Sequence, residues 1–222
     1  DALEYAGSYG VLMWGGYAWG DSDSPWCVRC ADTWSFDVAD KRWTYHYDGS
    51  NPSPNRSPGV GASAWSDVDQ RLYAKILSET WTYDPANKEW KRLRTAGDPP
   101  WTIEGTMEYD PNHHHLYFFG GNYESNTTLW RFDIDKRTWQ PVAPGGDGPD
   151  AAASSGPGVA YDTHNDVLAV YFGGRISIYD PDLNSWESFE PPVRPSDRDY
   201  VFGRFRYDAV NNGFWLHTAE DN

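Results

Sequence analysis

Residues 130–139 read Trp-Arg-Phe-Asp-Ile-Asp-Lys-Arg-Thr-Trp. An aromatic, Phe132, is followed by Asp133 and, seven residues after the aromatic, by Trp139. The same signature recurs as Phe36, Asp37 and Trp43, as Tyr83, Asp84 and Trp90, and as Tyr179, Asp180 and Trp186. The four tryptophans are 47, 49 and 47 residues apart. A fixed offset kept in four copies marks an internal repeat. Upstream, three copies carry a glycine pair after an apolar run: Gly15-Gly16, Gly120-Gly121 and Gly173-Gly174. The second copy has Lys75-Ile76 there. Further upstream each copy has a short segment ending in an aromatic: Tyr5, Trp65, Tyr109, Tyr161 and, in a fifth partial copy, Tyr207.

Composition makes these segments strands. Gly 21 and Pro 16 recur along the 222 residues and leave few stretches able to carry a helix. Apolar runs such as Val11 to Trp14 and Leu116 to Phe119 are short and rich in aromatic and β-branched residues. Each unit reads as four strands. In the third copy these are Gly105 to Asp110, His115 to Gly121, Thr128 to Asp135 and Thr138 to Val142. The aromatics suit the space between packed sheets, and the Asp suits closure of the turn into the fourth strand.

A four-stranded unit repeated at about 50 residues resembles the kelch β-propeller family. The resemblance covers nearly the whole chain and rests on the Gly-Gly pair, the aromatic-x-Phe/Tyr-Asp element and the later Trp. The expected fold is therefore all-β, a kelch-type β-propeller of four-stranded antiparallel blades, forming one domain or propeller segment. The repeats span about 1–48, 61–94, 105–143 and 158–190, with a partial copy at 203–222. Four and a half units do not close a ring neatly. The expectation is a segment of a propeller of five to seven blades. A four-bladed ring with an extra half-unit, or closure by another chain, are the alternatives.

The charge narrows the partners. With 18 Lys+Arg against 33 Asp+Glu the net charge is -15, which disfavours nucleic acid and anionic membrane surfaces. Nothing approaches the apolar run that a membrane-spanning helix needs, and an aromatic content of 17% argues against disorder. Asp1 opens directly into strand-like sequence, with no visible signal peptide and no initiator Met, as expected of a processed chain or a piece of a longer one.

In kelch propellers the loop from second to third strand and the loop between blades share one rim, and the resemblance implies that this rim binds. The long loops here are Gly16 to Thr33, Gly49 to Gly59, Thr95 to Ile103, Pro144 to Gly156 and Pro191 to Phe202. They carry the expected ligand-binding set: Tyr17, Trp19, Trp26, Arg29, Trp101, Tyr123, Arg198 and Tyr200. Aromatic faces stack on sugar rings and arginine pairs with carboxylates, so the partner is a glycan or a protein loop. Cys27-Val-Arg-Cys30 lies in the longest loop. One pair supplies only two of the four ligands zinc wants, and nothing in the spacing nominates His46 or His217 as the others; we expect a local disulfide, with free thiols or a metal site as the alternatives. That disulfide, the low Lys+Arg content and the abundant Trp lean toward an extracellular or periplasmic location. No cofactor is expected. Calcium on Asp21, Asp23, Asp147 and Asp150 is the alternative, but the spacing lacks the elements of an EF-hand loop.

Three further features have structural readings. His113-His114-His115 falls in a tight turn on the opposite rim and reads as solvated. Glu4, Glu108, Arg204 and Arg206 fall on first strands, where buried charges need partners. We expect Glu4 or Glu108 to meet Arg204 or Arg206, as ion pairs locking closure or as a polar floor to a central pocket. Asn55-Arg-Ser57 and Asn126-Thr-Thr128 have the form of glycosylation acceptors. No Walker loop, dinucleotide fingerprint, His-Glu-x-x-His motif or Gly-x-Ser-x-Gly elbow occurs. The expected function is a non-catalytic binding module or interaction scaffold. A domain of a carbohydrate-active enzyme (a lyase, or a copper oxidase whose crosslinked site finds no match here) and a structural subunit of a larger assembly are the alternatives.

Overall fold

The computed structural model describes residues 2–16, 30–46, 62–97, 101, 103–122, 127–150, 156–193 and 201–217. Among them the chain is all-β and forms five sheets. Sheet 1 is β1 (Ala2–Tyr5), β2 (Val11–Gly16), β3 (Cys30–Asp37) and β4 (Arg42–Tyr45). Sheet 2 is β5 (Ala62–Ser66), β6 (Arg71–Ile76), β7 (Glu79–Asp84) and β8 (Glu89–Arg92). Sheet 3 is β9 (Ile103–Asp110), β10 (His115–Asn122), β11 (Leu129–Asp133) and β12 (Thr138–Val142). Sheet 4 holds β14 (Gly158–Asp162), β15 (Val167–Phe172), β16 (Arg175–Asp180) and β17 (Ser185–Phe189), with the short β13 (Gly145–Gly146) parallel to β17. Sheet 5 pairs β18 (Phe205–Asp208) with β19 (Gly213–Leu216).

The four-residue turns have one chemistry. The Asp ending a strand accepts backbone N–H bonds from the turn that follows. Asp84 Oδ1 accepts from Ala86 at 3.0 Å, Asp133 Oδ1 from Lys136 at 2.9 Å and Asp180 Oδ1 from Asp182 at 2.9 Å. The first-strand turns repeat it with Asp110, Asp162 and Asp208. Each turn ends on a residue of positive φ, such as Lys41, Lys88, His114 or Asn212. That residue returns the chain to the ladder, and the Asp supplies the acceptor the tight backbone lacks.

Equivalent residues align sheet by sheet. Tyr5 pairs with Val11, Val11 with Phe36 and Phe36 with Trp43. The matching rows are Trp65–Leu72–Tyr83–Trp90, Tyr109–Leu116–Phe132–Trp139 and Tyr161–Leu168–Tyr179–Trp186. Directly opposed residues share a face, so each row lies on the front of its sheet. In sheets 2, 3 and 4 the row is buried against the back of the sheet before it. Trp14 meets Trp90 at 5.0 Å between ring centres, and Phe119 meets Trp186 at 6.2 Å. Each fully buried Leu or Phe in such a seam contributes roughly 1.5–3 kcal/mol. The indole N–H groups of Trp90 and Trp139 donate to Thr33 and Thr80 of the preceding sheet, both at 2.8 Å.

The first strands of successive sheets lie side by side, β1 by β5, β5 by β9, β9 by β14 and β14 by β18. Gly158 makes one of these approaches possible, because a Cβ there would stand 2.5 Å from the Phe205 Cβ. Lys75, which the pairing places where sheets 1, 3 and 4 have Trp14, Phe119 and Tyr171, is buried; its ammonium lies 4.6 Å from the Phe118 ring centre and donates to Leu77 O.

Three expectations change. The fifth copy enters its strand at Phe205 rather than Arg204, which ends a short 3-10 turn, and β19 ends at Leu216. The first copy replaces the tight turn between its first two strands with a 3-10 turn, Gly7–Tyr9. Two inter-sheet connections are partly in the sheets. Ala96 bridges Thr138 in parallel, as Gly145 and Gly146 pair with Ser185 and Trp186. Both runs cover an outer edge that would otherwise offer unpaired backbone. Both turn on a positive-φ glycine, Gly97 or Gly146, where a Cβ would stand 2.2 Å from a tryptophan carbonyl oxygen.

Candidate functional site

Antiparallel order puts the ends of each sheet to different uses. The four-residue turns leave one end; the connections from second to third strand, and from each sheet to the next, leave the other. Side chains join the turn ends of neighbouring sheets. His114 of sheet 3 lies 3.0 Å from Asp69 of sheet 2 and 3.1 Å from Asp135 of its own sheet. Asn112 donates to Asp166 of sheet 4 at 2.9 Å. The turns of sheets 2, 3 and 4 therefore form one rim, and their connecting loops leave from the other.

His114 is a difference from the sequence reading. Its ring is mostly covered rather than solvated, and each nitrogen faces a carboxylate. Burial works against the charge, yet Asp69 and Asp135 raise its pKa above the ordinary histidine value. His115 goes the other way, lowered by burial and by Arg131. No local signal identifies the His114 clamp, because Asp69 is 45 residues away.

Asp110, His113 and Asp166 bring one ligand atom each within 4.8 Å of one another, a set that could hold a metal ion. Asp110 already accepts from the Asn112 and His113 amides and from the His113 ring, and Asp166 accepts from Tyr161 and Asn112. The set is thus part of the turn closure. Asp147 and Asp150, two of the calcium candidates, flank the Arg175 guanidinium at 2.6 and 3.8 Å.

The second polar cluster lies where the first strands meet. The residues equivalent to one another there, one before each row's leading aromatic, are Glu4, Ala64, Glu108, Ala160 and Arg206. Arg206 ion-pairs with Glu108 and lies 3.6 Å from Glu4. Ser63 donates to Glu4 at 3.0 Å. The alanines leave room for the long arginine. Both carboxylates are recessed and the guanidinium is more open. Burial raises Glu4, against the pull of Arg206 and Ser63. Burial raises Glu108 to about 8, with Arg206 opposing and the Glu4 charge adding to the rise. Two carboxylates share one guanidinium, so the pair holds a proton more tightly than free carboxyls do. Arg206 is raised in turn, by Glu108 and then Glu4. Arg204 stands in the 3-10 turn and its Nε donates to Val201 O at 3.1 Å.

Trp101 is half-exposed. Tyr17, Trp19, Trp26, Cys27, Arg29, Tyr123, Arg198 and Tyr200 lie outside the described residues, as do Asp21 and Asp23. Cys30 opens β3, with its backbone opposite Gly16. His46, considered above as a metal ligand, sits between Ser35 at 2.7 Å and the Tyr83 hydroxyl at 2.5 Å. Among the described residues no helix is long and apolar enough to cross a membrane.

Comparison with known proteins finds no family model that matches this chain and no curated protein that matches it. The functional reading therefore rests on the residues themselves.

Proposed function

We propose that the chain is a kelch-type β-propeller, or a segment of one, acting as a non-catalytic binding module for a glycan or a protein loop. One observation carries this: the two ends of the sheets are unequal. One rim is made of four-residue turns whose Asp carboxylates are consumed by their own backbone. The opposite end releases the long connections, including residues 17–29 between β2 and β3. Long loops on a rigid scaffold are the usual place for recognition. In this reading Tyr17, Trp19, Trp26, Trp101, Tyr123 and Tyr200 offer stacking faces, while Arg29 and Arg198 take carboxylates. A disulfide between Cys27 and Cys30 pins the longest loop, and an extracellular or periplasmic location goes with it.

A second reading is favoured by Glu108. A carboxyl raised to about 8 in a recessed centre can donate a proton at neutral pH, as a carbohydrate-active enzyme requires.

The test is to pass neutral and acidic polysaccharides over the immobilised chain, with and without EDTA, scoring retention and released products together. Retention without product, lost on replacing Trp19, Trp26 and Trp101 by Ala, is expected. Product release that disappears in Glu108→Gln would overturn the binding reading in favour of the enzyme. Neither retention nor product would remove both glycan readings.

A further inference from the structure

Among the described residues, one set of side chains converges closely enough to ligate an ion: Asp110, His113 and Asp166. It lies on the turn rim, where sheet 3 meets sheet 4. Asp110 ends β9, His113 stands in the turn that follows, and Asp166 closes the turn from β14 to β15. His113 Nδ1 lies 2.9 Å from Asp110 Oδ2 and 3.8 Å from Asp166 Oδ1. Tetrahedral zinc, with bonds of about 2.0–2.1 Å, holds its ligand atoms about 3.3 Å apart. Both distances from the imidazole bracket that edge. The two carboxylates approach within 4.8 Å across the seam, and Asp110 is 0% exposed. Like charges brought together out of water call for a cation.

Turn closure uses the other oxygen of Asp110. Its Oδ1 takes the Asn112 and His113 amides at 2.9 and 3.0 Å, while Oδ2 faces the His113 ring. The repeat shows what else can stand there. Asp84, Asp162 and Asp208 set Oδ2 against the side-chain amides of Asn87, Asn165 and Asn211, three residues on, at 2.7, 2.7 and 2.6 Å. An amide nitrogen only donates, whereas the imidazole at the same position can give up its proton and ligate. A second observation points the same way. The Tyr117 hydroxyl and His115 Nδ1 are buried in this seam with no hydrogen-bond partner among the described residues. Tyr117 is 0% exposed; its ring runs nearly parallel to that of Tyr161, whose hydroxyl donates to Asp166. The His115 ring runs nearly parallel to that of His113. The Asp110 charge acts on both groups. Buried polar atoms that lack a protein partner take an ion or a water instead.

We propose that Asp110 Oδ2, His113 Nδ1 and Asp166 Oδ1 form a site for a divalent transition-metal ion of the zinc class, which joins the turn of sheet 3 to that of sheet 4. On binding, His113 gives up its Nδ1 proton to solvent and the ion takes that place between the two carboxylates. One imidazole nitrogen with two carboxylate oxygens suits such an ion, whereas calcium takes about six to eight oxygens. His113 and Asp166 are each 33% exposed, which leaves the fourth position to water. His114 takes no part, because its two nitrogens face Asp69 and Asp135. The site lies on the rim opposite the long loops, so a failed glycan assay leaves it standing.

The test titrates zinc chloride into the full 222-residue chain, stripped with EDTA, at neutral pH. Calorimetry reads the binding and a melting scan reads its effect on stability. A saturable site that raises the melting temperature is expected. His113→Asn carries the side chain that three other turns use, so without zinc it should melt like the parent chain. With zinc it should bind at least about tenfold more weakly and lose the melting shift. Asp166→Asn should weaken binding by a similar factor, while His114→Asn should leave the affinity unchanged. In nitrogen-15 spectra the His113 Nδ1 signal should move on loading. Absence of saturable binding overturns the proposal. Binding that survives unchanged in His113→Asn overturns it as well, and its loss in Cys30→Ser would then assign the ion to the loop cysteines.

Discussion

At the residue scale the chain uses carboxylates in two opposed ways. Asp84, Asp133, Asp162 and Asp208 have lowered pKa values; hydrogen bonds from their own turns favour the charged form. Glu4 and Glu108 are raised, with burial the leading cause. A carboxyl raised in the folded state binds more protons there than in the unfolded chain. Its contribution is complete below the ordinary carboxyl range and is lost as pH rises toward about 8. His114, also raised, is stabilising below the ordinary histidine value and loses that contribution as pH rises through its folded pKa. Both effects have the same sign, and the lowered His46 and His115 oppose them only below the ordinary histidine value, so melting temperature should fall between about pH 7 and about 8. Glu108→Gln should reduce that fall, and adding His114→Gln should reduce it further, with Glu4, His46 and His115 leaving a residual dependence. A melting series in matched buffers checks both steps. Replacing Asp180 by Ala removes an exposed turn acceptor and should cost about 1 kcal/mol. Asp110→Ala strips a buried carboxylate from two amides and a histidine, and should cost about 1–3 kcal/mol by denaturant titration.

At the element scale the unit of stability is the seam between sheets. Trp90 joins sheet 2 to sheet 1 through its ring contact with Trp14 and its N–H bond to Thr33. Trp90→Phe keeps most of the packing but leaves the buried Thr33 hydroxyl without its donor; the expected loss is about 1 kcal/mol in denaturant unfolding. Gly158→Ala probes the β14–β18 approach. The added methyl meets Phe205 and Val201, and β14 and β18 must separate, at about 1–3 kcal/mol. The repeat and its turns are legible in the sequence because each depends on residues within one unit. The third copy's fourth strand, Thr138–Val142, is read to the residue. The edge cover by Ala96 and Gly145–Gly146 is not legible, since it pairs a connection with the sheet that follows.

At the scale of the whole molecule Arg206 ties sheet 5 to both sheet 1 and sheet 3. Arg206→Met should leave the four-stranded sheets intact while loosening β18 and β19. Hydrogen exchange should accelerate there and remain unchanged in β10 and β15. Uniform acceleration along the chain would mean that the arginine supports the entire fold instead. The exposed aromatic face of sheet 1 and the edge of β19, unpaired among the described residues, belong to this scale too. They are recognised as uncovered only because sheets 2 to 4 show the same face covered.

What the amino-acid order determines here is the repeat: strand, Asp-closed turn, strand, and an aromatic–Trp pair at a fixed offset. These are local, set by alternation and turn chemistry over a few residues. The spacing also marks four copies of that aromatic–Trp pair. Long-range placement requires the folded chain. Glu4 and Glu108 face a single Arg206 because the first strands of sheets 1, 3 and 5 converge. His114 sits between two carboxylates because the turns of sheets 2 and 3 share a rim. Nothing in a linear spacing encodes either meeting. Both depend on the angle at which one sheet packs on the next, and that angle is settled by the aromatic seams between them.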